Sequence, residues 1–163
     1  MEVWSVATRL VVVAEAHEGL ITAARRMWAH EIGALPVLDG GGLVGILTER
    51  DLVAAMAVGS GHDSAVAAHM TPKPATATPR EDSVAVARRM LELGVRHMPV
   101  VDAGGVVGMV SATDLLTVVA WPKADSELPA WAESTPSRPS SLEPGPDEAL
   151  RRLAGALSSE WRD

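Results

Sequence analysis

The chain has 163 residues, 47% of them hydrophobic and 3% aromatic, no Cys, and a formal net charge of −7. Its length suits one domain or two small ones, and with Trp as the sole aromatic type a core has to be built from Val, Leu, Ile, Ala and Met. Lack of Cys excludes disulfides and thiolate metal sites, and acidic residues outnumber basic ones in both 1–120 and 121–163, which argues against a non-specific nucleic-acid binder.

In chain order, the first apolar run, Leu10 to Ala14, ends at Glu15 and is far too short to cross a bilayer. The start also lacks the basic and long apolar regions of a signal peptide, so the expectation is a cytoplasmic protein. Val11-Val12-Val13 reads as a short β-run, and Glu18 to Ile32 as a helix. Leu35-Pro36-Val37-Leu38 reads as a buried strand, Asp39-Gly40-Gly41 as a hairpin turn, and Leu43 to Leu47 as its return strand. Thr48 then opens a helix. A connector follows from Gly59 to Met70, carrying His62 and His69.

The same order then recurs. Pro74 to Ala77 is the β-run. Glu81-Asp82-Ser83 supply helix-start signals, and Val84, Ala87, Arg88, Leu91 and Val95 follow at helical spacing. Met98-Pro99-Val100-Val101, an Asp102-Ala103-Gly104-Gly105 turn, Val106 to Val110 and Ser111 complete the copy. The offset is a constant 63 residues. Ala24-Arg25-Arg26-Met27 maps to Ala87-Arg88-Arg89-Met90, Pro36-Val37 to Pro99-Val100, Val44-Gly45 to Val107-Gly108, and Asp51-Leu52 to Asp114-Leu115. A constant offset of this kind marks an internal repeat. The units span 3–57 and 66–120, each β-α-β-β-α, so the fold class is α/β (α+β). A unit this small buries too little surface alone, so the two are expected to pack sheet to sheet about a pseudo-twofold axis.

After Ala120 the composition changes. Residues 121–146 are rich in Pro and Ser and read as a disordered linker. From 147 to 161, Leu150, Leu153, Leu157 and Trp161 share one face of a short amphipathic helix, marginal in isolation.

One phrase stands in both copies: Thr48-Glu49-Arg50-Asp51 and Ser111-Ala112-Thr113-Asp114. Both have the form of a capping box, in which the hydroxyl accepts from the amide three residues on and the carboxylate reaches back. Capping needs no ligand. The same helix N-terminus also favours anions, and Gly45 and Gly108 could let a ligand approach the strand backbone. Arg50, unfavourable in a first helical turn, either meets a phosphate or stays in solvent. Arg25-Arg26 and Arg88-Arg89 read as solvated helix arginines, with a basic rim as the alternative. Met27, Met56, Met90, Met98 and Met109 read as core or interface filler.

The paired segments LPVLDGGGLVGILTERDL and HMPVVDAGGVVGMVSATDL, together with HMTPKPATA near the start of the second copy, resemble a pair of cystathionine-β-synthase (CBS) domains, a Bateman module. The resemblance covers residues 3–120. It implies that adenosine ligands (AMP, ADP, ATP or S-adenosylmethionine) are held in the cleft between units. Thr48 and Ser111 would then touch phosphate or ribose, and Asp51 and Asp114 would hold ribose. The resemblance also places Arg96, His97, Met98 and Pro99, with Leu35 and Pro36 in the first copy, along the cleft. Thr71, Lys73, Arg50 and Thr113 are further candidate contacts. Since Arg50 is matched by uncharged Thr113, the two sites should not bind one ligand equally. Homodimerisation is a further implication.

No motif for hydrolysis, phosphoryl transfer or metal catalysis is present, and the His residues at 17, 30, 62, 69 and 97 show no metal-ligand spacing. The sequence therefore reads as a regulatory binding module with no catalytic residues, metal or resident cofactor, relaying occupancy to an unidentified protein. The alternative is a ligand-free dimeric adaptor that recruits its partner through the C-terminal segment.

Overall fold

The computed structural model describes residues 1–9, 11–60 and 64–120. Leu10, His62, the segment 121–146 and the helix expected over 147–161 lie outside them. Among the described residues no helix is long and apolar enough to cross a membrane.

The first repeat comprises β1 (Ala14–Glu15), α1 (Leu20–Ala29), β2 (Ala34–Asp39), β3 (Gly42–Thr48) and α2 (Glu49–Ala57). After β4 (Thr71–Pro72), the second comprises α3 (Ser83–Leu93), β5 (His97–Asp102), β6 (Gly105–Ser111) and α4 (Ala112–Ala120). β2 and β3 form an antiparallel hairpin, and so do β5 and β6. Gly40 and Gly41 turn the first with φ of 56° and 83°, the backbone that a two-residue hairpin turn demands. Each hairpin carries one register shift, between Val37 and Leu38 and between Val100 and Val101. These positions are equivalent in the repeat, so the irregularity belongs to the unit. The β-run itself begins later than Val11: Ala14 pairs in parallel with Val37, and Ala77 with Val100.

Each helix buries one stripe. On α1 it is Leu20, Ala23 and Met27; on α3 it is Ser83, Val86 and Met90. These meet Leu35, Val37 and Leu47 in the first repeat and Met98, Val100 and Val110 in the second. Complete burial of such side chains is worth roughly 1.5–3 kcal/mol each. Met56, by contrast, is 75% exposed, so it fills no core. The paired arginines divide as well. Arg25 and Arg88 are exposed. Arg26 pairs with Glu18 at 2.8 Å and donates to the Val13 carbonyl, while Arg89 pairs with Glu81 at 2.9 Å and donates to the Thr76 carbonyl. These two are staples that tie a helix to the loop before the β-run, not solvated side chains, because an acid stands eight residues before each.

The repeats exchange their leading segments. Val3 is fully buried in the core of the second repeat, and Val66 in that of the first. Val3 N–H donates to Glu81 O at 2.9 Å, and Val66 N–H to Glu18 O at 2.9 Å. Thr8 pairs with Met109 of β6, and Thr71 with Ile46 of β3. β3 and β6 touch one another across the seam. The result is the pseudo-twofold pair of α/β units expected from the repeat, with its halves interlocked.

Candidate functional site

Two cavities lie along the seam between the repeats. The α2 cavity, about 380 Å³, is lined by the end of β3 and start of α2, by the leader of the second repeat, and by the loop before β5. The α4 cavity, about 350 Å³, is lined by the end of β6 and start of α4, by the first repeat's own leader, and by the loop before β2. Shifting the leader and loop residues of the α2 wall down by 63, and its helix-start residues up by 63, gives most of the α4 wall. Each cavity is therefore composite: a helix start from one repeat, and a leader and loop from the other.

At both helix starts the capping box is formed. Thr48 N–H and Oγ1 each donate to Asp51 Oδ2 at 2.7 Å, and Asp51 N–H returns to Thr48 Oγ1 at 3.4 Å. Ser111 N–H and Oγ each donate to Asp114 Oδ2 at 2.7 Å, and Asp114 N–H donates to Ser111 Oγ at 3.1 Å. The first helical amides are also held: Glu49 N–H donates to Gly33 O at 3.1 Å, and Ala112 N–H to Arg96 O at 2.9 Å. These bonds fasten each helix start to the loop that faces it. They present Asp51 and Asp114 to the cavities in one fixed orientation.

Thr48, Arg50, Asp51, Thr71, Lys73, Arg96 and His97 come together in the α2 cavity. Pro36, Ser111, Thr113, Asp114 and again His97 line the α4 cavity. Leu35, Met98 and Pro99 are fully buried and line neither. Arg50 stands in one copy and Lys73 and Arg96 in the other; the pairing of the second leader with β3 and the facing loop before β5 bring all three into one cavity. Sequence reasoning did not single out Thr8, Glu31, Gly33 and Met109 as lining residues. Thr8 was accessible in principle, since it is the repeat equivalent of Thr71.

The two glycines do something other than admit a ligand. A Cβ on Gly45 would lie 2.3 Å from Met70 Sδ and 3.1 Å from Thr71 O, and one on Gly108 would lie 3.2 Å from Thr8 O. The exchanged leaders occupy the space over both glycines, which are needed for that close strand approach.

His97 belongs to both walls, and its first-repeat counterpart is Ala34. The ring packs against Gly33 with Glu49 Oε2 nearby. Burial holds the imidazole below its ordinary range, and Arg96 adds to the effect, while Glu49 and Asp114 pull the other way. At neutral pH it is an uncharged ring that can donate one hydrogen bond and accept another. Among the described residues no cluster of His, Asp and Glu could hold a metal ion. His69, in the connector, pairs with Ser64 Oγ at 2.6 Å.

The fold and the paired cavities define a tandem-repeat α/β module. The chain belongs to the CBS domain family, whose model matches residues 3–58 and 65–120. It is 35% identical over 116 residues to a 17.7 kDa protein of Acidianus ambivalens, covering 70% of each chain. It is 36% identical over 111 residues to hypoxic response protein 1 of Mycobacterium tuberculosis, covering 61% of this chain and 71% of that one. Among solved structures, the CBS domain pair of protein MJ0100, in complex with 5′-methylthioadenosine and S-adenosyl-L-methionine, aligns with a TM-score of 0.70 at 29% identity. That alignment covers 76% of this chain and 98% of the other.

Proposed function

We propose that this chain is a regulatory module that binds an adenosine-bearing ligand in its seam cavities and relays occupancy to a partner protein. The observation that carries this reading is the α2 cavity, where a capped helix start, Asp51, two Thr hydroxyls and three cations converge in a space suited to a small molecule. In this reading Asp51 and Asp114 accept from ribose hydroxyls. Thr48, Thr71 and Ser111 approach ribose or phosphate, and Arg50, Lys73 and Arg96 meet phosphate. The likeness to the MJ0100 pair, whose structure holds two adenosyl compounds, supports the ligand class. Binding rather than catalysis is the activity assigned, and a cytoplasmic homodimer is its form. Val53 and Met56 on α2 and Leu116 on α4, each more than 60% exposed, supply apolar surface for self-association.

Thermal unfolding with AMP, ADP, ATP, S-adenosylmethionine and guanine nucleotides tests the reading. A ligand at 100 times its Kd adds about 2.7 kcal/mol, a shift of several degrees, and Asp51→Ala should abolish it for a ligand of the α2 cavity. A second reading is favoured by the completeness of both capping boxes without any ligand: a dimeric adaptor that recruits a partner through its C-terminal segment. Flat curves across the panel, with capture of a partner that depends on Leu157 and Trp161, would select it.

A further inference from the structure

We infer that the two cavities take ligands of opposite charge class: the α2 cavity a phosphorylated adenosine, the α4 cavity an adenosyl compound without phosphate, neutral or positively charged. This rests on the adenosine-binding reading and adds to it which ligand goes where.

The inference comes from comparing equivalent positions of the two walls. Arg50 of the α2 cavity is matched by Thr113 in the α4 cavity, and Arg96 by Gly33. In the other direction Gly94 is matched by Glu31. The α2 cavity thus presents Arg50, Lys73 and Arg96 against one carboxylate, Asp51. Among the described residues the α4 cavity presents Glu31 and Asp114, and no Lys or Arg lines it. His97, uncharged at neutral pH, favours neither sign. None of Arg50, Lys73 and Arg96 forms an ion pair with a described residue, so their charge is available to a ligand. A phosphate in the α4 cavity would face two carboxylates and, among the described lining residues, no Lys or Arg, whereas a sulfonium or ammonium group would be attracted there.

Backbone geometry points the same way. Among the described residues two non-glycine positions have positive φ, Glu31 at 53° and Lys73 at 48°. One lines each cavity, and they carry opposite charge. Such strain persists only where the surroundings impose it, and it clusters at ligand sites. Each cavity therefore carries a charge of its own sign at a left-handed backbone position.

Calorimetric titration of the full chain with ADP and with 5′-methylthioadenosine tests the assignment. One ADP should bind per chain, weakening as salt rises, and saturating ADP should leave one molecule of 5′-methylthioadenosine bound. Arg50→Thr with Lys73→Leu, which copies the equivalent residues Thr113 and Leu10 at exposed positions, should weaken ADP at least tenfold and leave the second ligand unchanged. Thr113→Arg with Glu31→Gly should create a second ADP site. Two equal ADP sites in the unaltered chain, or ADP binding indifferent to the Arg50 and Lys73 changes, would overturn the charge assignment while leaving the adenosine reading intact. Failure of every adenosine compound to bind would overturn both.

Discussion

At Ser83 a hydroxyl stands where the first repeat has Leu20. Its Oγ is buried with no hydrogen-bond partner among the described residues, and an unsatisfied buried polar group costs about 1–3 kcal/mol. Ser83→Ala should therefore raise stability by roughly 1 kcal/mol, read as a higher urea midpoint at unchanged m. Glu31 and Gly94 make a second natural comparison: both follow a helix end in left-handed backbone, where a Cβ costs roughly 1–2 kcal/mol and glycine pays part of that back in chain entropy. Glu31→Gly should gain up to about 1 kcal/mol, and Gly94→Ala should lose a similar amount, measured by the same denaturation. His97 sets a pH dependence. Its folded-state affinity for a proton is depressed below the ordinary value of 6.5, so beneath that pH the unfolded chain takes up a proton that the folded chain resists. The stabilisation is present above pH 6.5 and is lost as pH falls through the lower folded value; denaturation at pH 5 and 7.5 should show it, and His97→Ala should flatten the difference. Charge at single residues was legible in the sequence. Its assignment to one cavity was not, because Arg50 and Lys73 meet only through pairing across the seam.

The helix starts and hairpins were the most legible elements, since each is fixed within a few residues. Thr48 and Asp51 are three apart, as are Ser111 and Asp114, and both boxes form. Removing the hydroxyl in Thr48→Ala or Ser111→Ala should cost about 1 kcal/mol, visible without any ligand; a null effect in both would mean that loop contacts alone hold α2 and α4. The β-run was less legible. Three consecutive valines promised a strand, yet the pairing begins at Ala14, and Val11 and Val12 line the α4 cavity instead. β-propensity reports a half-buried apolar wall, and the side of a cleft satisfies that as well as a sheet does. The role of Gly45 was misjudged for a related reason: the sequence shows a missing side chain and not what fills the space. Gly45→Val should destabilise by roughly 1–3 kcal/mol through displacement of Met70 and Thr71, even in a protein stripped of ligand.

At the scale of the molecule, the repeat, its register and its family were legible from the constant offset and the doubled phrase. The trade of leaders was not, because two equivalent leaders are equally compatible with staying home or crossing over; the burial of Val3 in the second core and Val66 in the first, with the strand pairing of Thr8 and Thr71, decides it. Crossing ties the cores into one cooperative system. Val3→Ala should remove roughly 1–3 kcal/mol, and unfolding should remain a single transition by both helical signal and Trp fluorescence; two separated transitions would show that the halves melt independently. The crossing has a topological consequence. Two half-length polypeptides, each bearing one repeat with its leader, would embrace as a reciprocally domain-swapped pair and regenerate both seams. The architecture is in that sense a dimer fused into one chain, and the fusion leaves each half free to change its lining without changing the other.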